Sequence, residues 1–134
     1  MQFLYISMVI ASNAIILKDK EILLVKRSDY TKAFPKCWAC PGGRADEGET
    51  PEQAVERELK EEINLDFKPT KLFATGKWKD RDLYRFLGQW SGDIKLQEEE
   101  LTEYDWFSYE DAVKLDLAFD YREIIERLRK EGLI

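Results

Sequence analysis

The sequence contains no histidine, although it has 134 residues and 36% of them are charged. This absence excludes serine–histidine catalytic triads, histidine general bases and zinc sites built on imidazole. Any acid–base or metal chemistry must therefore use carboxylates. Because carboxylate oxygens are hard ligands, the sequence favours a hard divalent cation such as Mg²⁺, with Mn²⁺ as an alternative.

Cysteine is also scarce, since the chain has only Cys37 and Cys40. Their C-x-x-C spacing is found in redox motifs and in half of a zinc site, but no second pair completes the four ligands that zinc needs. The segment between them is predicted to be extended, and residues three apart on a strand point to opposite faces. We interpret them as two reduced cysteines of a cytoplasmic protein.

Basic runs and long hydrophobic runs are absent as well. The net charge of −6 argues against a nucleic-acid polymer as partner. The apolar stretch from Met1 to Leu17 has no Lys or Arg before Lys18 and is interrupted by polar residues, so it favours a strand over a signal peptide or a membrane span. These features predict a cytoplasmic protein without a membrane partner. The length and the 44% hydrophobic content predict a single domain over residues 1–134.

The strongest local pattern is a glycine loop that leads into an amphipathic helix. Thr50 suits the N-cap, Pro51 suits the first helical position, and Gln53 stands where a capping box needs Glu or Gln. Apolar residues repeat every four positions on one face, which we expect to be buried: Val55, Leu59 and Ile63. The pattern therefore predicts a helix that packs against a core.

Three glutamates lie on the adjoining face of the same helix. Glu58, Glu61 and Glu62 follow each other at i, i+3 and i+4, within an arc of roughly 100°. Like charges this close repel by a few tenths of a kcal/mol per pair on an exposed helix. A divalent cation with oxygen ligands explains their placement, and a solvated acidic face is the alternative.

From Gly43 to Leu65 the sequence resembles the Nudix box, G-x5-E-x7-R-E-U-x-E-E-x-G-U, in which U is a bulky aliphatic residue. The matching positions are Gly43, Glu49, Arg57, Glu58, Leu59, Glu61, Glu62 and Leu65. Asn64 stands where the family has glycine. That glycine takes a left-handed conformation after the helix, and asparagine tolerates this conformation next best. We therefore interpret the change as compatible with function.

The resemblance implies roles for the residues of the box. Glu61 and Glu62 are expected to be direct metal ligands, and Glu58 a ligand or the base that activates the attacking water. A backbone carbonyl of the glycine loop, that of Gly43, is expected to be a further ligand. By the same resemblance, Arg57 pairs with Glu49 and braces the loop against the helix.

Many Nudix proteins carry one more glutamate into the metal site from a later loop, several residues before an aromatic pair. Trp106 and Phe107 form such a pair here. By that spacing Glu100 is the first candidate for the additional ligand and Glu103 the second. A solvated charge run is the alternative for this acidic stretch.

Four residues are candidates for substrate binding. Arg27 and Arg44 are expected to hold phosphate oxygens, although a plain surface arginine is the alternative for Arg27. Trp38 lies in the aromatic neighbourhood that adjoins the substrate pocket in the family, or else belongs to the core. In MutT-like relatives a polar side chain near the position of Asp120 hydrogen-bonds the base, whereas the local pattern indicates that Asp120 caps the last helix together with Glu123.

The order of elements predicts an α/β protein with a mixed sheet. Strands are expected at 7–17, 21–26, 67–79, 83–90 and 94–97, and the remaining helices at about 108–115 and from Asp120 onward. Such an arrangement of strands and helices is typical of one α/β domain. The resemblance makes this more specific and implies the Nudix-type α/β/α sandwich.

Nudix enzymes hydrolyse a nucleoside diphosphate linked to another group, so the resemblance implies a small-molecule nucleotide substrate. The MutT-like pattern favours a nucleoside triphosphate, oxidised forms included, cleaved to the monophosphate and pyrophosphate. ADP-ribose or a nucleotide sugar is the alternative substrate. A sensor domain that binds a nucleotide without turning it over is the alternative function, and a homodimer is common in the family.

Overall fold

The computed structural model describes residues 9–97 and 101–134. Within these ranges the chain forms eight strands and three helices. In chain order they are β1 (Val9–Ile15), β2 (Leu17–Lys18), β3 (Glu21–Arg27), β4 (Trp38–Ala39), β5 (Gly42–Arg44), α1 (Pro51–Ile63), β6 (Asp66–Trp78), β7 (Arg81–Ser91), β8 (Leu101–Phe107), α2 (Tyr109–Ala112) and α3 (Tyr121–Lys130). No helix in these ranges is long and apolar enough to cross a membrane.

One four-stranded sheet is mixed, as predicted. Its strand order is β5-β1-β7-β6. Strands β1 and β7 are parallel, and the pairs β1–β5 and β6–β7 are antiparallel. Because parallel neighbours need a long crossover, β1 and β7 come together only after the chain has passed through α1.

The second sheet is built around β3, which pairs antiparallel with β2, β4 and β8. The chain turns back at 19–20, where Leu17 pairs with Ile22, so the first two predicted strands are joined by a hairpin. The strand predicted at 94–97 is wrong, because this segment bonds to the end of α1 through the N–H of Lys95 and the carbonyl of Ile63, 2.9 Å apart. Strand β8 was not predicted. Four of its successive residues are exposed, so it lacks the alternation of buried and exposed positions that indicates a strand.

Helix α1 begins and ends as the sequence predicts. The Thr50 hydroxyl accepts the Gln53 N–H at 3.1 Å, and the Gln53 side chain accepts the Thr50 N–H at 3.0 Å, which confirms the capping box. Asn64 ends the helix in the left-handed conformation, with φ of 65°. The predicted apolar face, Val55, Leu59 and Ile63, is fully buried. Each of these side chains contributes roughly 1.5–3 kcal/mol through burial.

Helices cover the sheets from two sides. Alternate residues of β3 face opposite cores: Leu23 and Val25 pack with α1, whereas Ile22 and Leu24 pack with α3. Helix α3 supplies an apolar stripe of four buried residues, Tyr121, Ile124, Ile125 and Leu128. The fold is therefore the predicted α/β/α arrangement.

Two predictions about the C-terminal helices need correction. Helix α2 ends at Ala112 rather than near Leu115, although Ser108 does cap it by accepting the Asp111 N–H at 3.2 Å. The predicted cap by Asp120 and Glu123 is wrong, since Asp120 makes no side-chain cap on α3. Its carboxylate instead accepts two hydrogen bonds from Arg85. These bonds are charge-assisted and therefore stronger than bonds from the N–H groups at the start of the helix.

Candidate active site

One face of the mixed sheet forms the floor of a cavity. Side chains on a strand alternate between faces, so every second residue points to the same side. The register places Ala11 beside Leu83 and Arg44, and Asn13 beside Arg85 and Gly42. All of these residues line the cavity, and so does Arg81, two positions before Leu83 on β7. The cavity has a volume of about 610 Å³.

The walls of this cavity carry opposite charges. The carboxylates of Glu58, Glu61 and Glu62 line it beside Gly42 and Gly43, and four arginines line it as well: Arg27, Arg44, Arg81 and Arg85. The loop residues 30–33 complete the wall, including Tyr30, which is 90% exposed. The arrangement suits a ligand that carries negative charge and binds a cation at the same time.

The glycine loop packs directly against the glutamates of α1. Glu62 is only 7% exposed, and its Oε1 accepts the Gly42 N–H at 2.8 Å. A Cβ atom on Gly43 would lie 2.6 Å from the carboxylate of Glu58, so glycine allows this approach without a shift of the Glu58 side chain. The backbone of the glycine loop and two carboxylates are thereby brought close together, and carboxylate oxygens fit a hard divalent cation.

Arg57 connects the loop with the acidic face. Its Nε and Nη2 donate to the two carboxylate oxygens of Glu49 at 2.7 and 2.9 Å, which confirms the predicted pair. Its Nη1 donates to Glu58 at 3.0 Å and to Glu61 at 2.9 Å. In the part of the chain that the structure describes, no three acidic or cysteine side chains stand in metal-binding geometry. Two of the candidate ligands, Glu58 and Glu61, are instead hydrogen-bonded to Arg57.

The pairing with Arg57 changes the acidity of Glu49. The hydrogen bonds from Arg57 and, after them, the one from the Asp46 N–H lower the pKa of Glu49 to about 2. The Glu49 partner in turn raises the pKa of Arg57 above its ordinary value, even though burial works in the opposite direction. Both side chains therefore stay ionised over the whole neutral range.

Arg85 is a buried cation beneath the cavity, and its side chain is 1% exposed. Its Nε and Nη2 donate to Asp120 Oδ1 at 3.2 and 2.8 Å, and its Nη1 donates to Asn13 Oδ1 at 2.6 Å. Burial alone would lower the pKa of Arg85, but Tyr121 and Asp120 hold it above its ordinary value. Asp120, the candidate for base recognition, is thus the counter-ion of Arg85 and is not itself among the residues that line the cavity.

Arg81 is a site residue that the sequence analysis missed. It is half-buried, and burial lowers its pKa, with further lowering from the charges of Arg44 and Arg27. The predicted strand begins at residue 83 and leaves Arg81 in a turn, whereas β7 begins at Arg81, so Arg81 and Arg85, four residues apart, share a face of the sheet. Nothing in the sequence alone indicated which face borders the cavity.

Trp38 and the two cysteines belong to the interior. Trp38 is 9% exposed and packs edge-on against Phe107 with ring centres 5.0 Å apart, so it lies in the core and not on the cavity wall. Cys37 and Cys40 are free thiols, as predicted. Burial raises the pKa of Cys40 to about 12, so this thiol stays protonated at neutral pH and is a poor nucleophile.

Two glutamates are candidates for an additional acidic ligand. Glu100 lies outside the described residues. Glu103 is exposed on β8, opposite Lys26 of β3, and does not line the cavity. The structure therefore brings together Gly43, Glu49, Arg57, Glu58, Glu61 and Glu62 with Arg27 and Arg44.

Comparisons with known proteins agree with the resemblance in the box. A family model described as the NUDIX domain matches residues 8–128. An ADP-ribose pyrophosphatase of Methanocaldococcus jannaschii is 36% identical over 130 residues, covering 92% of this chain and 74% of that protein. The nucleoside triphosphatase NudI of Escherichia coli O81 is 30% identical over 136 residues, covering 90% and 94%. The NAD-capped RNA hydrolases named NudC that also match are longer, and the chain spans 36% of the Haemophilus influenzae protein.

Solved structures show the same architecture. The crystal structure of a MutT NUDIX hydrolase from Burkholderia pseudomallei superposes with a TM-score of 0.78 at 27% identity, covering 88% of this chain and 95% of that one. The cavity, with its acidic and basic walls, therefore lies in a fold that this hydrolase shares.

Proposed function

This chain belongs to the Nudix hydrolase family, and we propose that it hydrolyses nucleoside triphosphates, oxidised forms included, to the monophosphate and pyrophosphate. The observation that carries the proposal is the cavity in which three glutamates of α1 face arginines from three other segments. Hydrolysis of a phosphoanhydride needs both the basic and the acidic wall, because the reacting group is a polyanion. The arginines would bind its negative charge, and cations held by the glutamates would neutralise it.

Enzymes of this family use divalent metal ions, and we propose Mg²⁺ for this one, with Mn²⁺ as a substitute. Glu61, Glu62 and the carbonyl of Gly43 would hold the metal, and Glu58 would be either a further ligand or the base that takes a proton from water. Bound there, divalent cations would neutralise phosphate charge and lower the pKa of a coordinated water. Glu100 remains a candidate for the additional ligand.

The other residues of the site bind and position. Arg27 and Arg44 line the cavity and would donate hydrogen bonds to phosphate oxygens. The bond from Arg57 to Glu49 fixes the loop that carries Gly43, so the proposed role of this pair is to keep the ligands in place. Asp120 would act on the substrate through Arg85, whose guanidinium it orients. We do not retain Trp38, because it lies in the core.

The charge of the cavity supports a triphosphate. At neutral pH a nucleoside triphosphate carries a charge of about −4, because its terminal phosphate has a second ionisation near pH 6, whereas the two linked phosphates of ADP-ribose carry about −2. The relatives named as a nucleoside triphosphatase and as a MutT hydrolase agree with this preference. ADP-ribose is the second candidate, since the relative at 36% identity is named an ADP-ribose pyrophosphatase.

The test is a turnover screen with purified protein and Mg²⁺ or Mn²⁺. The substrates are nucleoside triphosphates, oxidised guanine nucleotides, ADP-ribose, nucleotide sugars and dinucleoside polyphosphates, and the products are pyrophosphate and phosphate. We expect pyrophosphate from one triphosphate at a kcat/KM well above the others. Preferred turnover of ADP-ribose would select the second candidate, and nucleotide binding without turnover would indicate a sensor.

A variant of the acidic wall links the activity to the site. Glu62→Gln removes one ligand charge but keeps an oxygen that accepts the Gly42 N–H, so the fold should survive. We expect kcat to fall by at least about 100-fold. Glu52→Gln is the matched control, because Glu52 is exposed on the first turn of the same helix and does not line the cavity. Turnover by Glu62→Gln at the rate of the control would contradict the metal assignment.

A further inference from the structure

Three arginines of the cavity share one unusual property. Within residues 9–97 and 101–134, Arg27, Arg44 and Arg81 take part in no ion pair. Arg85 differs, because Asp120 neutralises it. The three unpaired guanidiniums are close enough for the charges of Arg44 and Arg27 to lower the pKa of Arg81. Cations gathered in this way repel each other until an anion binds between them.

Aromatic rings hold two of these guanidiniums in place. The guanidinium carbon of Arg81 lies 5.3 Å from the ring centre of Trp78 and 5.6 Å from that of Phe119, and Arg27 lies 5.5 Å from Phe119. Phe34 closes the group, with ring centres 5.4 Å from Trp78 and 4.7 Å from Phe119. Cation–π contacts of this kind offset part of the repulsion between the arginines.

The backbone beneath the rings is strained. Phe119 has φ of 47° and Phe34 has φ of 49°, in the left-handed region that bulky residues rarely enter. Strain of this type is concentrated at ligand sites, where the surroundings enforce it. Here the surroundings of Phe119 do so, because the Ala118 N–H is bonded to the Trp38 carbonyl at 2.9 Å and Asp120 is tied to Arg85.

The register explains how Arg81 meets this group. Trp78 pairs with Arg81 across the turn between β6 and β7, so both side chains lie on the cavity face of the sheet. Phe119 comes from the segment that precedes α3 and also lines the cavity. Arg81 therefore stands between a strand partner and a strained loop residue, and its charge is directed at the cavity without a carboxylate partner in the described part of the chain.

We propose that Arg81, held between Trp78 and Phe119, binds the terminal phosphate of the substrate together with Arg27 and Arg44. This phosphate is the part of a nucleoside triphosphate that ADP-ribose lacks, so Arg81 selects triphosphates over diphosphate-linked sugars. Phe119 acts as a positioning residue for the guanidinium. The inference rests on the proposed function for its substrate class, but the anion subsite itself can be measured without turnover.

The binding experiment uses inorganic tripolyphosphate and isothermal titration calorimetry in EDTA at low ionic strength, so that only the protein's own cations contribute. We expect Arg81→Gln to weaken tripolyphosphate binding by about 10-fold or more, because a charge-assisted hydrogen bond is lost. Lys79→Gln is the matched control: its Nζ lies 4.7 Å from the ring centre of the same Trp78, but Lys79 does not line the cavity. We expect a change below about 2-fold for it.

Kinetics then test selectivity. For Arg81→Gln we expect KM to rise by about 10-fold or more for the best triphosphate, kcat to stay within about 3-fold, and the parameters for ADP-ribose to stay unchanged. Phe119→Leu should raise the same KM, whereas Phe119→Tyr, which keeps the ring, should restore it. Arg81→Lys should lie between wild type and Arg81→Gln, because it keeps the charge but loses the planar fork.

Three results would overturn the inference. These are equal loss of tripolyphosphate binding in Arg81→Gln and Lys79→Gln, an equal rise in KM for ADP-ribose, or full binding by a folded Arg81→Gln protein. If no triphosphate is turned over, the proposed function fails, and the calorimetric comparison alone decides the role of Arg81. Thermal unfolding of each variant shows that the comparison is made between folded proteins.

Discussion

Replacing Glu49 with glutamine tests the link between the glycine loop and α1. The carboxylate of Glu49 accepts two hydrogen bonds from Arg57, at 2.7 and 2.9 Å, and a third from the Asp46 N–H at 2.7 Å. Glutamine keeps the size of the side chain but removes the charge and one of the two acceptors. Arg57, with 26% of its side chain exposed, then loses its strongest partner.

The size of the effect follows from the pKa of Glu49. Its lowering from the ordinary 4.5 to about 2 corresponds to at most about 3.4 kcal/mol of stabilisation at neutral pH. Solvent reaches both partners, whose side chains are 18% and 26% exposed, so screening reduces this value. A two-point, charge-assisted pair retains more than a simple surface pair. We therefore expect Glu49→Gln to lower the free energy of unfolding by about 2 kcal/mol at pH 7.

The pH dependence gives a second, independent measure of the same pair. Below about pH 4.5 the unfolded chain takes up a proton at Glu49 while the folded chain does not. The stabilisation is therefore complete above that pH and is lost as the pH falls towards 2. By about pH 3, more than half of it should be gone, so the difference between wild type and Glu49→Gln should shrink accordingly.

The assay is urea unfolding between pH 7 and pH 3, followed by the fluorescence of the four tryptophans. Glu47→Gln is the control, because Glu47 is exposed in the same loop and makes no ion pair with any described residue. Its effect should stay within about 0.5 kcal/mol. Equal costs for the two variants, or a difference that does not change with pH, would refute the reasoning.

Two further predictions concern positions at which the sequence departs from a simple expectation. Asn64→Ala should lower the free energy of unfolding by about 1 kcal/mol in urea titrations, because alanine is strained at φ of 65° and loses the bond to the Asp93 carbonyl. Asn64→Gly should stay within about 0.5 kcal/mol of wild type. Equal costs for the two variants would count against this account. Cys40→Ser should leave kcat within about 2-fold. It should lower the free energy of unfolding by about 1–2 kcal/mol, because it buries a hydroxyl in an apolar site. A large loss of kcat in a folded variant would restore a role for the C-x-x-C motif.

The helix at the centre of the site could be predicted because its signals are local. The cap at Thr50, the apolar face and the left-handed end at Asn64 each depend on residues within one or two helical turns, and the structure contains all three. The pairing of Arg57 with Glu49 was also accessible, because the resemblance in the box supplies the partner eight residues away.

Arg27 and Arg44 of the basic wall were predicted, but Arg81 and Arg85 were not, because their place depends on strands that are far apart in sequence. Arg81 reaches the cavity only through the parallel pairing of β7 with β1, some 70 residues earlier in the chain. The role of Asp120 also depends on a contact that is distant in sequence. Its position before α3 is typical of a cap, yet a buried arginine 35 residues away offers a charged partner, and the ion pair prevails over the cap.

Strand β7 has a consequence for how this enzyme can diverge. Its odd-numbered residues Arg81, Leu83 and Arg85 line the cavity, whereas Tyr84 and Phe86 pack into the core beneath α1. Under the proposed function, substitutions on the first face would alter which nucleotide is accepted, while the second face continues to hold the helix and its glutamates. Selection on substrate preference and selection on folding can therefore act on the same eleven-residue strand almost independently, with Arg85, buried and paired to Asp120, as the position at which the two demands meet.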